Sequence, residues 1–165
     1  MKANGSVYVA VVFAALFGYF GYQWWFNPAR MVKHRLGEVA AALSVPEHET
    51  DIARVARLAR LRGYLAEDLR VKAGAEEIRS RDAAVGLAAG WKPQAGGGDV
   101  QFADVQIFIE SETAAHAYLA VELTSLDRES GHATVDARDA SVSLAKQNGG
   151  WVITAAESKQ SPAAR

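Results

Sequence analysis

One uninterrupted apolar run near the N-terminus limits the fold of this chain more than any other feature. Residues 7–26 read VYVAVVFAALFGYFGYQWWF, without a charge and with Gln23 as the only strongly polar side chain. A helix of about 20 residues rises about 30 Å, the thickness of a bilayer's hydrocarbon core. The run is apolar on all sides rather than along one stripe, which argues against a helix packed on a water-soluble core. A cleaved leader has an apolar stretch of roughly 7–15 residues followed by small residues at the cleavage site. Here the run is longer, and bulky aromatics stand where cleavage would fall. The expectation is an uncleaved transmembrane helix over 7–26, preceded by a short tail (1–6) and followed by a linker (27–30). Its anchor residues are Val7, Phe13, Leu16 and Phe20, with Tyr22, Trp24, Trp25 and Phe26 crowded at the C-terminal end like an interfacial aromatic belt. Ala14-x-x-x-Gly18 has the small-xxx-small spacing that lets two helices approach, although small residues are common in membrane helices anyway.

Two signals compete over orientation. Lys2 flanks the run on one side, and Arg30, Lys33 and Arg35 on the other. A literal count of positive flanks favours a cytoplasmic domain. A very short tail before a first apolar helix is instead the form of a signal anchor, which leaves the C-terminal domain outside. The expected location is a bacterial inner membrane, crossed once, with a periplasmic domain.

The remaining chain of about 120 residues is long enough to bury a core without metal or disulfide staples. The absence of cysteine excludes disulfides and thiolate zinc sites. A net charge of −1 gives no electrostatic footprint for nucleic acid.

From residue 28 the chain reads as helices, then strands. Residues 29–44 carry Met31, Val32, Leu36, Val39, Ala40 and Leu43 at helical spacing, and Val45-Pro46 stops them. Residues 47–65 form a second helix, capped at Thr50 or Asp51, with Ile52, Val55, Leu58, Ala59 and Leu65 as its apolar side. Arg54, Arg57 and Arg60 recur along it and fit a solvated face with local ion pairs; lipid headgroups or an acidic partner are the alternatives. A short strand over 66–73, a turn at Gly74 and a third helix over 80–91 follow, the helix with Val85, Leu87, Ala88 and Trp91 on its apolar side. Residues 92–99 are a glycine-rich loop.

Beyond the loop the period falls to two. Residues 100–110 put Val105, Ile107 and Ile109 on one face and Phe102, Asp104, Gln106 and Phe108 on the other. Residues 114–126 put Ala115, Ala117, Leu119, Val121 and Leu123 opposite His116, Tyr118, Glu122 and Thr124. Strands over 132–146 and 150–157 are joined by an Asn148-Gly149 turn, and the tail 158–165, which lacks a period, is expected to be disordered. Helices first and an antiparallel meander afterwards give an α+β class: three helices on one face of a curved, mainly antiparallel sheet.

Three stretches carry a family resemblance: Tyr64–Val71 (YLAEDLRV), Ile78–Ala83 (IRSRDA, with Ser80 where glycine is usual) and Leu144–Ile153 (LAKQNGGWVI). In order and spacing they resemble the nuclear transport factor 2-like superfamily, including its SnoaL-like branch, over residues 31–157. The resemblance implies a cone-shaped domain whose bent sheet wraps a long helix and leaves a pocket at its mouth. It also implies either isomerase, dehydratase or cyclase activity, or a non-catalytic, membrane-anchored assembly role. The fold does not choose between these.

Catalysis of that kind needs a carboxylate or a His/Asp pair in an apolar pocket, plus a donor for a developing oxyanion. The candidates are Asp104, His116 and Tyr118, with Glu122, Asp136 and Asp139 further off. They form an acid–base set only if the polar face of their strands lines the cone. The opposite face is continuously aliphatic, and alternation marks core against solvent. The four histidines lack metal-ligand spacing, and Gly96-Gly97-Gly98 lacks the Lys-Ser/Thr of a phosphate loop. The expected function is therefore a membrane-tethered, non-catalytic binding or assembly domain without metal or cofactor. Its partners would be the lipid bilayer and either other subunits of a membrane complex or a second copy, with no nucleic acid. The alternative is a SnoaL-like pocket enzyme or a binder of a small hydrophobic ligand.

Overall fold

In the computed structural model the described residues are 5–25, 27–93, 96–126 and 130–159, with side chains described outside 5–8, 23–25 and 159. Helix α1 (Gly5–Trp25) covers most of the apolar run, and its described side chains, over 9–22, are exposed. The side chains of the anchor residues Val7, Trp24 and Trp25, and all of Phe26, lie outside the described residues. Among the described residues no helix is long and apolar enough to cross a membrane.

Helix α2 (Pro28–Leu43) begins where Asn27 accepts the Ala29 N–H at 3.0 Å and Pro28 presets the first helical φ. It buries Val32, Leu36, Val39, Ala40 and Ala42. Its end at Ser44 leads into β1 (Val45–Pro46), a two-residue strand where the sequence suggests only a helix stop. Helix α3 (Asp51–Tyr64) starts later than the expected residue 47, because Thr50 accepts the Ala53 N–H at 3.2 Å and fixes the cap. It runs into β2 (Leu65–Ala73), which turns at Gly74 into β3 (Glu76–Ile78), a strand the short polar sequence did not signal. Helix α4 (Arg81–Gly90) is capped by Ser80. Four long strands follow: β4 (Gly97–Ile109), β5 (Ala114–Leu126), β6 (Ala133–Gln147) and β7 (Gly150–Lys159). Asn148 and Gly149, both at positive φ, close the β6–β7 hairpin.

The strands form one sheet of order β1-β4-β5-β6-β7-β2-β3, antiparallel except where β2 runs parallel to β7. The curled sheet wraps helices in an α+β half-barrel. The core joins Val32, Leu36 and Val39 of α2, Leu61 of α3 and Leu69 of β2 to Ala115, Ala117, Leu119, Val142, Leu144, Trp151 and Ile153 of the sheet.

Five expectations need correction. Part of the apolar side assigned to the second helix faces water: Ile52 is 84% and Val55 68% exposed, whereas Leu65 of that side is buried, as are Leu61 and Arg57. Arg57 turns inward because it donates to the Ala42 carbonyl and to Glu49, and this sets the rotation of the helix. Likewise Leu87 of α4 is exposed. The expected 92–99 loop gives its last residues to β4, where Gly97 and Gly98 pair with Pro46 and Val45. On β4 a bulge between Ala103 and Gln106, with Asp104 at φ 49°, shifts the alternation, so Phe102 packs on the core with Val105 and Ile107. Finally, β7 extends through Ser158 and Lys159, which pair with Ala140 and Asp139; residues 160–165 of the expected tail lie outside the described set.

Candidate functional site

Strand β5 decides which groups meet inside the half-barrel. Its odd positions Ala115, Ala117 and Leu119 are buried against α2 and the rest of the core, and Val121 packs at the edge of that core. His116 and Tyr118 therefore stand on the outer face of the sheet. There the His116 Nδ1 lies 3.2 Å from the Ser143 hydroxyl, and the His116 and Tyr118 rings meet edge-on with centroids 4.8 Å apart. Phe108 meets Tyr118 in the same manner at 5.9 Å. Asp104 and Tyr118 share a shallow groove of about 320 Å³ with Gln106, Asp139 and Ser141. Glu122 lies farther along β5, opposite Gln101 and Ala137, and Asp136 is engaged with Arg138 at 3.1 Å. The structure thus brings Asp104, Tyr118 and His116 onto one surface and leaves Glu122 and Asp136 apart. Asp104 and Tyr118 are both exposed, so water screens their charges and hydrogen bonds. Among the described residues no group of His, Asp and Glu is arranged to hold a metal.

A second depression, of about 370 Å³, lies between the start of α2 and the β6–β7 hairpin. Arg30, Met31, His34, Arg35 and Glu38 line it from the helix, and Gly149, Gly150 and Trp151 from the hairpin. The Arg35 guanidinium is held from two sides: the Glu38 carboxylate pairs with it, Nη1 to Oε2 at 2.9 Å, and the Tyr64 ring lies under it at 4.6 Å. His34 approaches the same carboxylate at 3.6 Å. This groove went unrecognised in the sequence. The basic residues at one-turn spacing were visible, but nothing local says that a hairpin more than a hundred residues away covers that face.

The strand order, the parallel β2–β7 pair and the helices on the concave side define the nuclear transport factor 2-like fold. Among solved structures, an NTF2-like protein with a cystatin-like fold from Novosphingobium aromaticivorans matches with a TM-score of 0.69 at 12% identity, covering 88% of this chain and 90% of its own. A putative scytalone dehydratase from the same organism matches with a TM-score of 0.64 at 16% identity, over 80% of this chain and 83% of its own. The association domain of C. elegans CaMKII matches with a TM-score of 0.58 at 12% identity, over 81% and 93%. No protein-family model and no curated protein matches the sequence. At these identities the likeness is one of fold.

Proposed function

We propose that the chain is a membrane-tethered, non-catalytic assembly domain. In this reading α1 anchors it in a bacterial inner membrane, and the half-barrel, on the periplasmic side, binds other subunits or a second copy. One observation carries the choice of scaffold over enzyme. The concave face of β5 is occupied by Ala115, Ala117 and Leu119 in the core, while half-buried His116 and exposed Tyr118 and Phe108 form an aromatic cluster outside. A concave face packed with these aliphatic side chains offers no acid or base from β5 to the interior, whereas exposed amphipathic rings are the side chains that interfaces favour. The likeness to the fold of a CaMKII association domain agrees with this reading.

For the tether, the support is the uninterrupted apolar sequence of 7–26 and its exposed side chains over 9–22. The test is membrane fractionation followed by mild-detergent purification. The chain should stay in the membrane pellet through alkaline carbonate washing and should elute with stoichiometric partners or as a homo-oligomer. Release by carbonate would sink the tether, and a monodisperse monomer without partners would sink the assembly role.

The pocket-enzyme alternative keeps one supporting observation, the Asp104–Tyr118 groove on the outer face. It predicts that a small carbonyl or hydroxylated ring compound binds there and protects Tyr118 from chemical modification. Unchanged modification across a panel of such compounds would remove it.

A further inference from the structure

We propose that the outward surface of α3 and α4 is a self-association face, on which a second copy of this chain packs antiparallel, α3 against α3. Helix α3 carries apolar side chains on two opposite faces. One face packs into the core through Leu61. The other holds Ile52, Val55, Ala56, Ala59 and Gly63, all exposed, at the three- and four-residue spacing that lines one side of a helix. Helix α4 continues that surface. It runs antiparallel beside α3, since Arg54 Nη2 donates to the Ala89 carbonyl at 2.7 Å and Arg62 pairs with Asp82. Those two contacts set Leu87, which is 61% exposed, level with Ala56. Isoleucine, valine and leucine exposed together on adjacent helices form a patch, unlike the single apolar residues scattered over an ordinary monomer surface.

Shape and charge both select a second copy as the occupant. A two-fold axis between Arg57 and Leu58 sets Ile52, the largest side chain of the stripe, opposite Gly63, where an added Cβ would have nothing within 4 Å. Because α4 runs in step with α3, the same axis passes Gly86, which is equally open. Large residues thus meet gaps at both ends, as an isologous contact requires. Asp51 and Arg62 are about three helical turns apart and so share one flank of the stripe. An antiparallel two-fold keeps that flank on one side, so the Asp51 carboxylate of each copy meets the Arg62 guanidinium of the other. Arg62 engages Asp82 through Nη1 and its side chain is 49% exposed, which leaves an edge of the fork for a second carboxylate. A bilayer matches the surface less well. Arg57 bonds the last turn of α2 and Tyr64 meets Arg35 nearer its start, so α3 runs back along α2. Ile52 and Val55 therefore lie toward the end of α2 remote from α1. The inference goes beyond the assembly role proposed above by naming surface and occupant, and it does not need the tether.

The chain has no cysteine, so introduced cysteines report the pairing cleanly. Full-length Ile52→Cys and Gly63→Cys chains, carrying tags of different size, are co-expressed, and the membrane and soluble fractions are oxidised with copper–phenanthroline. Two cysteines bridge only when their Cβ atoms come within about 4 Å, so the mixed dimer should exceed the dimer of either variant alone about tenfold. Adding Val55→Asp to both chains should lower the mixed dimer about tenfold or more, because it places an uncompensated charge between the helices. Thermal melts of that variant should remain those of a folded domain, since Val55 is exposed in the single chain. Dimers from each variant alone with none from the mixture would mean parallel pairing and overturn the proposal. So would the absence of any dimer, a cross-link to a different protein in its place, or a mixed dimer unaffected by Val55→Asp. A chain released by carbonate whose mixed cysteines still join overturns the tether and leaves the pairing standing; a carbonate-resistant chain without the dimer does the reverse.

Discussion

Arg57 and Glu49 form a two-pronged ion pair, Nε to Oε1 at 2.6 Å and Nη2 to Oε2 at 3.1 Å, that joins the interior of α3 to the loop before it. Arg57 also donates from Nη1 to the Ala42 carbonyl at 2.9 Å, in the last turn of α2, where backbone acceptors lack helical partners and the dipole favours a cation. Both side chains are more than nine-tenths buried, at 6% and 9% exposure. One arginine thus clamps the two long helices of the half-barrel.

Removing one partner of this pair strands the other in the interior. Arg57→Ala should cost about 3–5 kcal/mol of unfolding free energy, read by denaturant titration in detergent. A loss under about 1 kcal/mol, the worth of an exposed ion pair, would show that the clamp does not hold the helices.

The same pair makes stability depend on pH in one direction. Its hydrogen bond to Arg57 holds the Glu49 carboxyl below the ordinary carboxylate value, with burial opposing that shift. A carboxyl with a depressed folded-state pKa contributes in full above its unfolded value of about 4.3, and the contribution fades as pH falls through the folded value. Thermal melts of wild type should therefore lose midpoint on acidification below that range. Glu49→Gln should start lower and lose less over the same range; parallel curves would dissociate Glu49 from the acid limb.

Burial along α3 makes a sharp contrast between two apolar residues. Leu61 is 2% exposed and Ile52 84%. Leu61→Ala should cost about 2–5 kcal/mol through lost transfer energy and an unfilled cavity. Ile52→Ala should change stability by no more than about 0.5 kcal/mol. Similar values for both would mean that α3 is rotated from the orientation Arg57 imposes.

Where β4 begins, Gly97 has φ 93°, and a Cβ there would stand 2.5 Å from the Val45 carbonyl oxygen and 2.8 Å from the Glu47 nitrogen. Both obstacles are backbone and cannot swing aside. Gly97→Ala should destabilise by about 1–3 kcal/mol, combining unfavourable φ with displacement of β1. Amide exchange should quicken at the β1–β4 pairing, and unchanged protection there would contradict the close approach.

On the outer sheet face, Tyr118→Ser removes two edge-on ring contacts and should cost only about 1 kcal/mol in folding. If the aromatic cluster is an interface, the same change should lower recovery of partners or of the homo-oligomer by far more than it lowers folded protein. Equal recovery from wild type and variant membranes would direct the search to another surface.

Much of the fold was legible because short-range physics writes it locally. The stripe of Val32, Leu36, Val39 and Ala40, the stop at Val45-Pro46, the cap at Thr50 and the Asn148-Gly149 turn each depend on neighbours within a few residues. The alternation of 114–126 was equally local, and it already placed His116 and Tyr118 opposite the aliphatic face. Tertiary structure alone decided which face of α3 is buried: Leu61 packs in the core and Arg57 reaches the Ala42 carbonyl, while Ile52 and Val55 face water. It also decided the bulge at Asp104, since an extra residue in β4 has meaning only against its partner β5. The groove of Arg30, Arg35 and Trp151 belongs to the same class. Its residues are separated by most of the chain, and they meet only because the parallel β2–β7 pair carries the last hairpin back under the first helix of the half-barrel.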